Sequence, residues 1–169
     1  TGSEKEVNGC PVLGDMSLLP HAFRRGIRCA IVAIGDNYIR QQRFYELEQM
    51  GFHLINAVHP SVVIDPTATI GRGVIIDAGT VISGRCQIGN GCILATSCTL
   101  AFGVLLGDHV RLEPGVRVGA SAQVHRHSLL RCGAVVANRV VVGKNNETEV
   151  GAIITCSIPD RELPEDRLL

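Results

Sequence analysis

From Ile64 onward every sixth residue is aliphatic. The column runs Ile64, Ile70, Ile76, Ile82, Ile88, Leu94, Leu100, Leu106, Leu112, Val118, Val124, Leu130, Val136, Val142 and Ile154, and only Thr148 interrupts it. Two residues earlier lies a second column, from Val62, Ala68 and Val74 through Cys86, Cys92 and Cys98 to Val140 and Ala152. Its members are small or β-branched, Asn146 excepted. An amphipathic helix repeats near 3.6 residues and a half-buried strand every 2, so a sustained period of six fits neither and predicts a β-helix of hexapeptide repeats.

This period resembles that of the hexapeptide-repeat proteins. The resemblance implies a left-handed triangular coil with three hexads, 18 residues, in each turn. Residues 18 apart then stack at about 4.8 Å, the ordinary strand spacing, and roughly five turns suffice for the nearest-neighbour stability of a solenoid. A narrow prism has little room for large rings. Phe23, Tyr38, Phe44, Tyr45 and Phe52 precede the repeats, and Phe102 in T-L-A-F-G-V-L-L-G-D-H-V is the one aromatic residue after them. Cys86, Cys92 and Cys98 fall in the small-residue column, where free cysteine packs as a small hydrophobe.

The first third is patterned differently. Cys29 to Ile34 is an apolar run of strand length, and Asp36 or Asn37 can cap a helix through about Met50. Gly51 suits its C-terminus, and His53 to Ala57 predicts a returning strand. A short helix is expected around Ser17 to Arg25, ending at Gly26. The expected organisation is a partial α/β domain over 1–60 whose sheet covers the open end of the coil, a mostly β coil over 61–158, and a tail over 159–169.

Lys+Arg and Asp+Glu are equal at 16 each, so a basic footprint for nucleic acid is missing. No apolar run approaches the roughly 18 residues of a membrane span, and the opening T-G-S-E-K-E-V-N-G-C is not a signal peptide. Seven cysteines without a C-x-x-C spacing argue for a reducing compartment. A cytoplasmic protein with no membrane or nucleic-acid partner and no bound metal is expected.

Three motifs carry a closer resemblance: Pro11-Val12-Leu13-Gly14-Asp15, then Ala33-Ile34-Gly35-Asp36-Asn37 with Arg40, then His59-Pro60-Ser61 leading into the hexads. In this order they resemble the acetyltransferases that modify sialic acid and UDP-4-amino-sugars in bacterial surface glycan pathways. The resemblance implies a homotrimer with active sites between neighbouring coils, acetyl-CoA as donor and a free or nucleotide-linked sugar as acceptor. It places the acceptor near Phe102 and Gly103, and the donor along Arg111, Gly119, Ala120, Gly133 and Gly151. Gly35, Asp36 and Asn37, at the carboxyl end of a predicted strand, occupy the usual ligand edge of an open α/β sheet and are expected to bind substrate. Members of the family begin with a further strand and a Gly-rich phosphate loop, and this sequence opens beyond that segment. They also close with a Gly-x-Pro-Ala stretch that is not found here.

The family also carries a histidine, usually followed by an acidic residue, five positions before the Gly-Asp that is here Gly107-Asp108. Phe102 and Gly103 occupy those two positions, and Arg111 stands where a second family histidine lies. Phe has no lone pair and cannot act as a base, so a weakened or inactive acetyltransferase is expected, with N-acetylation less affected than O-acetylation. His109 and His127, 18 apart, should stack on one face with His125 close by. They are open to three readings: exposed or intersubunit histidines, a relocated base, or an intersubunit metal site. A non-catalytic trimeric scaffold and a zinc-dependent carbonic-anhydrase-like trimer are the competing functions. Apolar Val118 and Leu130 in stacked turns are taken to mark the surface between subunits.

Overall fold

The computed structural model describes residues 6–162; the first five positions and the last seven of the expected tail lie outside them. The first part contains a hairpin of β1 (Glu6–Val7) and β2 (Cys10–Pro11), a 3-10 turn at Met16–Leu18, α1 (Leu19–Arg24), β3 (Cys29–Ala30), α2 (Asn37–Gln49) and β4 (His53–Leu54). Asp36 caps α2, accepting hydrogen bonds from the backbone N–H groups of Tyr38 and Ile39 at 2.9 and 3.0 Å. β3 and β4 pair in parallel, Cys29 opposite His53. Each is shorter than the apolar run predicts. Beyond β3 the chain leaves the ladder, and the Ile34 and Gly35 carbonyls accept from Arg40.

The rest is a left-handed parallel β-solenoid of about five turns. Three ladders of two-residue strands make its faces. Face I holds Ala57–Val58, Ile75–Ile76, Ile93–Leu94, Arg111–Leu112 and Leu129–Leu130. Face II runs from Val63–Ile64 to Ile153–Ile154, and face III from Thr69–Ile70 to Val141–Val142. Partners are 18 residues apart throughout, as in Leu94 opposite Leu112. From Val63–Ile64 onward the first residue of each strand is the more exposed and the second the more buried. Both columns of the sequence therefore fill the prism: Leu94, Leu100 and Leu112 are fully buried, and so are Cys86, Cys92 and Cys98. Those three thiols donate to the carbonyls of Ala101, Gly107 and Glu113, and burial pushes that of Cys92 up to about 12. Each large aliphatic side chain contributes about 1.5–3 kcal/mol by leaving water.

Two expectations are corrected here. Val118 and Leu130 are buried inside the coil on faces II and I, so they are core and mark no intersubunit surface. The outward apolar side chains of face II are instead Val63, Val81 and Ile153, all exposed, with Val135 half-buried.

The α/β unit, moreover, is not a lid on the end of the coil. In the first turn Val62, Ile64, Ala68 and Ile70 remain only partly buried. α2 lies along the edge between faces III and I, against residues spaced by 18: Gly73, Gly91, His109, His127 and Asn145. A 13-residue helix is about 20 Å long, and four steps between turns come to about 19 Å. The lengths match. The buried face of α2 is Asn37, Arg40, Phe44 and Leu47, with helical spacing but two polar members.

Candidate functional site

Arg40 fixes the geometry around the N-terminus of α2. It is fully buried, and each of its five N–H groups has an acceptor. Nε donates to Gly91 O at 2.7 Å, Nη1 to Ile34 O and Gly35 O at 2.8 and 3.1 Å, and Nη2 to Asn37 Oδ1 and His109 O at 2.6 and 2.9 Å. No carboxylate is among these partners. Desolvation accordingly lowers its pKa to about 10. Asn37 Nδ2 donates to His127 O at 2.8 Å, and the Tyr38 hydroxyl donates to Asn145 Oδ1 at 3.0 Å. The Gly35-Asp36-Asn37 turn is thus held against the coil from two sides.

Beside this turn, over face I, opens a cavity of about 620 Å³. Gly35, Asp36, Asn37 and Tyr38 form one wall, and Arg111, Glu113, His127, Arg131, Asn145 and Glu147 form the other, with Arg161 and Glu162 at the rim. A Cβ on residue 35 would lie 2.5 Å from Arg111 Nη1, so glycine there lets the guanidinium cross the wall. Arg111 lies 3.7 Å from Glu113, and Arg131 is paired with Glu147. Glu113 also accepts from the backbone and thiol of Cys132 at 3.1 and 3.2 Å.

The histidines are not where their outward positions in the repeat suggest. His109 and His127 do stack, with ring centroids 5.9 Å apart, but α2 covers both. His109 is 2% exposed and His127 9%. Phe44 and Tyr45 stand edge-on to His109, and Tyr38 lies against His127 at 4.7 Å. A Cβ on Gly91 would overlap the His109 ring, and Gly91 itself has φ of +61°. Burial, reinforced by Arg40, lowers the His109 pKa to about 4, and burial lowers that of His127 as well. The reading of His109 and His127 as exposed is therefore overturned. His125 faces Asp160 instead, 3.9 Å away, and among the described residues no three His, Cys, Asp or Glu side chains converge as a metal site.

Phe102 is on the edge between faces II and III, 52% exposed, with the Arg85 guanidinium 5.6 Å from its ring centroid. Gly103 follows it with φ of +70°. Alongside runs a shallow apolar groove of about 380 Å³ lined by Ala101, Val118, Gly119, Val135 and Ala137 among others. Ala120 stacks 18 residues above Phe102 on the same edge. Gly133 and Gly151 lie on the edge between faces I and II, on the other side of face II. The expected donor residues therefore divide. Arg111 joins Gly35, Asp36 and Asn37 in the cavity, while the small residues flank face II. The sequence reading missed Glu113, Tyr38, Arg131, Asn145 and Arg161, which no single repeat position marks.

Residues 67–102 match the family model described as bacterial transferase hexapeptide (six repeats). The fold is similar to that of perosamine N-acetyltransferase from Caulobacter crescentus, solved as a histidine variant in complex with CoA and GDP-perosamine. That match has 32% sequence identity, 92% of this chain and 74% of the other covered, and a TM-score of 0.58. The acetyltransferase domain of PglB from Neisseria gonorrhoeae, in complex with acetyl coenzyme A, is 27% identical over 94% of this chain and 77% of its own, with a TM-score of 0.54. WeeI from Acinetobacter baumannii shares the fold at a TM-score of 0.80 and 21% identity, over 94% of this chain and 76% of its own. A parallel solenoid of hexapeptide repeats preceded by an α/β unit is the architecture shared with these hexapeptide transferases. The chain belongs to the family of bacterial hexapeptide-repeat sugar acetyltransferases.

Proposed function

We propose that the protein is an acetyl-CoA-dependent acetyltransferase of a sugar or sugar nucleotide in bacterial surface glycan biosynthesis, working as a homotrimer and weakened at its chemical step. The observation that carries this reading is the placement of two features on opposite sides of one coil. The cavity with Gly35, Asp36, Asn37 and Arg111 is on face I, whereas Phe102 and the apolar groove are on the opposite edge. A single chain cannot bring them together. A neighbouring copy presenting its Phe102 edge to face I would, with the acceptor in the cavity of one subunit and the pantetheine arm along the groove of the next. Related structures that hold CoA with GDP-perosamine, or acetyl-CoA, support the donor and the acceptor class.

Acetyl transfer joins an acceptor nitrogen or oxygen to the thioester carbonyl, expels the thiolate and moves a proton away from the acceptor. Phe102 stands where the family places the base, and general-base catalysis is worth about 10²- to 10⁴-fold. Holding acceptor and thioester together still supplies rate. An amine, partly deprotonated at neutral pH, loses less than a hydroxyl.

The test is CoA thiol release with GDP-perosamine and UDP-4-amino-sugars, comparing the protein with Phe102→His. A gain of at least about 10²-fold is expected. If the variant binds acetyl-CoA as a trimer and stays silent with every amine, the second reading replaces the first. That reading is a trimeric, non-catalytic binding module, and the exposed phenyl ring at the base position is the observation that favours it.

A further inference from the structure

We propose that His109 and His127 form an acid-operated latch: when protons reach the two rings, α2 leaves the edge of the coil and the wall of the face I cavity goes with it. That the cavity then loses its ligand rests on the reading of it as the acceptor site. The two rings are stacked beneath α2, with Phe44 and Tyr45 edge-on to His109 and Tyr38 against His127. His109 Nδ1 and His127 Nε2 are buried with no hydrogen-bond partner among the described residues. A neutral imidazole can leave one nitrogen bare, whereas both nitrogens of the charged ring are donors. A proton on either atom therefore has no acceptor while the helix is docked, and a buried donor without one is costly.

The charges around the rings push the same way. From α2 the Arg40 guanidinium acts on both, and Arg126 of the coil acts on His127. Two contributions oppose release: Asp108, whose Oδ1 accepts from the Asn90 N–H at 2.7 Å, and a side-chain hydrogen bond between Asn145 and His127. Burial outweighs both and holds the two imidazoles below their ordinary range, His109 at about 4. Freed from the helix, the rings return toward 6.5. The open form thus binds more protons and gains population as pH falls from 6.5 toward 4. The latch reaches the cavity because the same two residues hold the helix through their carbonyls. His109 O accepts from Arg40 and His127 O from Asn37, and Gly35, Asp36, Asn37 and Tyr38 are the cavity wall.

The chain has two tyrosines and no tryptophan, and both tyrosines are on α2, so intrinsic fluorescence reports on this helix. It is followed on the full chain from pH 7.5 to 4.5 and back, beside far-UV circular dichroism, for wild type and the double variant His109→Asn/His127→Asn. Asparagine accepts the positive φ at both positions. A reversible step in tyrosine emission, steeper than one proton and with the coil still folded, is expected in wild type and absent from the double variant. Where the double variant does not fold, ring ¹⁵N NMR of the wild type decides, and both imidazoles are expected to charge across the same step. The latch is overturned by a missing step, by a step that persists without the histidines, or by rings that stay neutral through it. GDP-perosamine binding by the wild type is expected to weaken about tenfold or more across the step; unchanged affinity overturns the link to the cavity. Absence of binding at pH 7.5 overturns the acceptor reading instead, and the tyrosine step then decides the latch alone.

Discussion

Acid should loosen α2 from the coil before it unfolds the coil itself. Three basic groups, Arg40, His109 and His127, are packed beneath the helix, and the hydrogen bonds of Arg40 go to carbonyl oxygens and not to carboxylates. His109 falls from an ordinary 6.5 to about 4 in the folded protein. The unfolded chain therefore binds more protons than the native one between those values, so stability is complete above about pH 6.5 and is lost as pH falls toward 4. At about 1.36 kcal/mol per pH unit, the His109 contribution reaches at most about 3 kcal/mol, and residual solvent screening trims it toward about 2 kcal/mol. His127 adds to it with the same sign. The assay is urea unfolding by circular dichroism from pH 7.5 to 4.5, with hydrogen exchange of the α2 amides, for wild type and His109→Asn. Asparagine tolerates the local φ of +55° and removes the titration. The difference between the two curves isolates the histidine from ordinary carboxylates. Parallel curves, or a wild type that gains stability over His109→Asn on acidification, would refute the argument.

Arg40→Met should cost about 3 kcal/mol or more, because the Ile34, Gly35, Gly91 and His109 carbonyls lose their donor at once; a cost below 1 kcal/mol by denaturant titration would show those bonds to be replaceable. With a thiol reagent under native conditions, Cys10, Cys29 and Cys156 should react quickly, while Cys86, Cys92 and Cys98 wait for unfolding; fast labelling of any of the last three contradicts the register. Gly91→Ala, by pressing on the His109 ring and adding a side chain at positive φ, should destabilise by about 1–3 kcal/mol and selectively raise α2 exchange.

Most of the coil is legible in the sequence because its burial is one-dimensional. A residue in either column has no choice but to point inward, so Leu94 or Cys92 can be assigned from position alone. His109 and His127 occupy the intervening outward positions, and nothing in the repeat says that a helix will cover them. Their burial comes from a tertiary match between two lengths, the helix and the stacked edge. The signal was present in the 18-spaced series Gly73, Gly91, His109, His127 and Asn145, but it becomes visible only when set beside α2. α2 itself conceals its inner face, since Asn37 and Arg40 read as solvent-facing until the carbonyls they serve are known. The same holds for Val118 and Leu130, whose apolarity is used inside the prism and not between subunits. The cavity was half legible: the Gly35-Asp36-Asn37 turn announces itself as a strand-to-helix junction, whereas Glu113, Arg131 and Arg161 meet it only because successive turns bring them to one face.

A solenoid ordinarily couples each turn only to the next, so it can fray stepwise from an open end. The helix along the edge changes that behaviour. Through Asn145, His127, His109 and Gly91 it grips successive turns with one rigid rod, acting as a splint across them. Pulled from its C-terminal side, the coil should peel freely past Ile153–Ile154 and then stop at the turn that carries Asn145. From that point the splinted turns should give way together, as one mechanical unit.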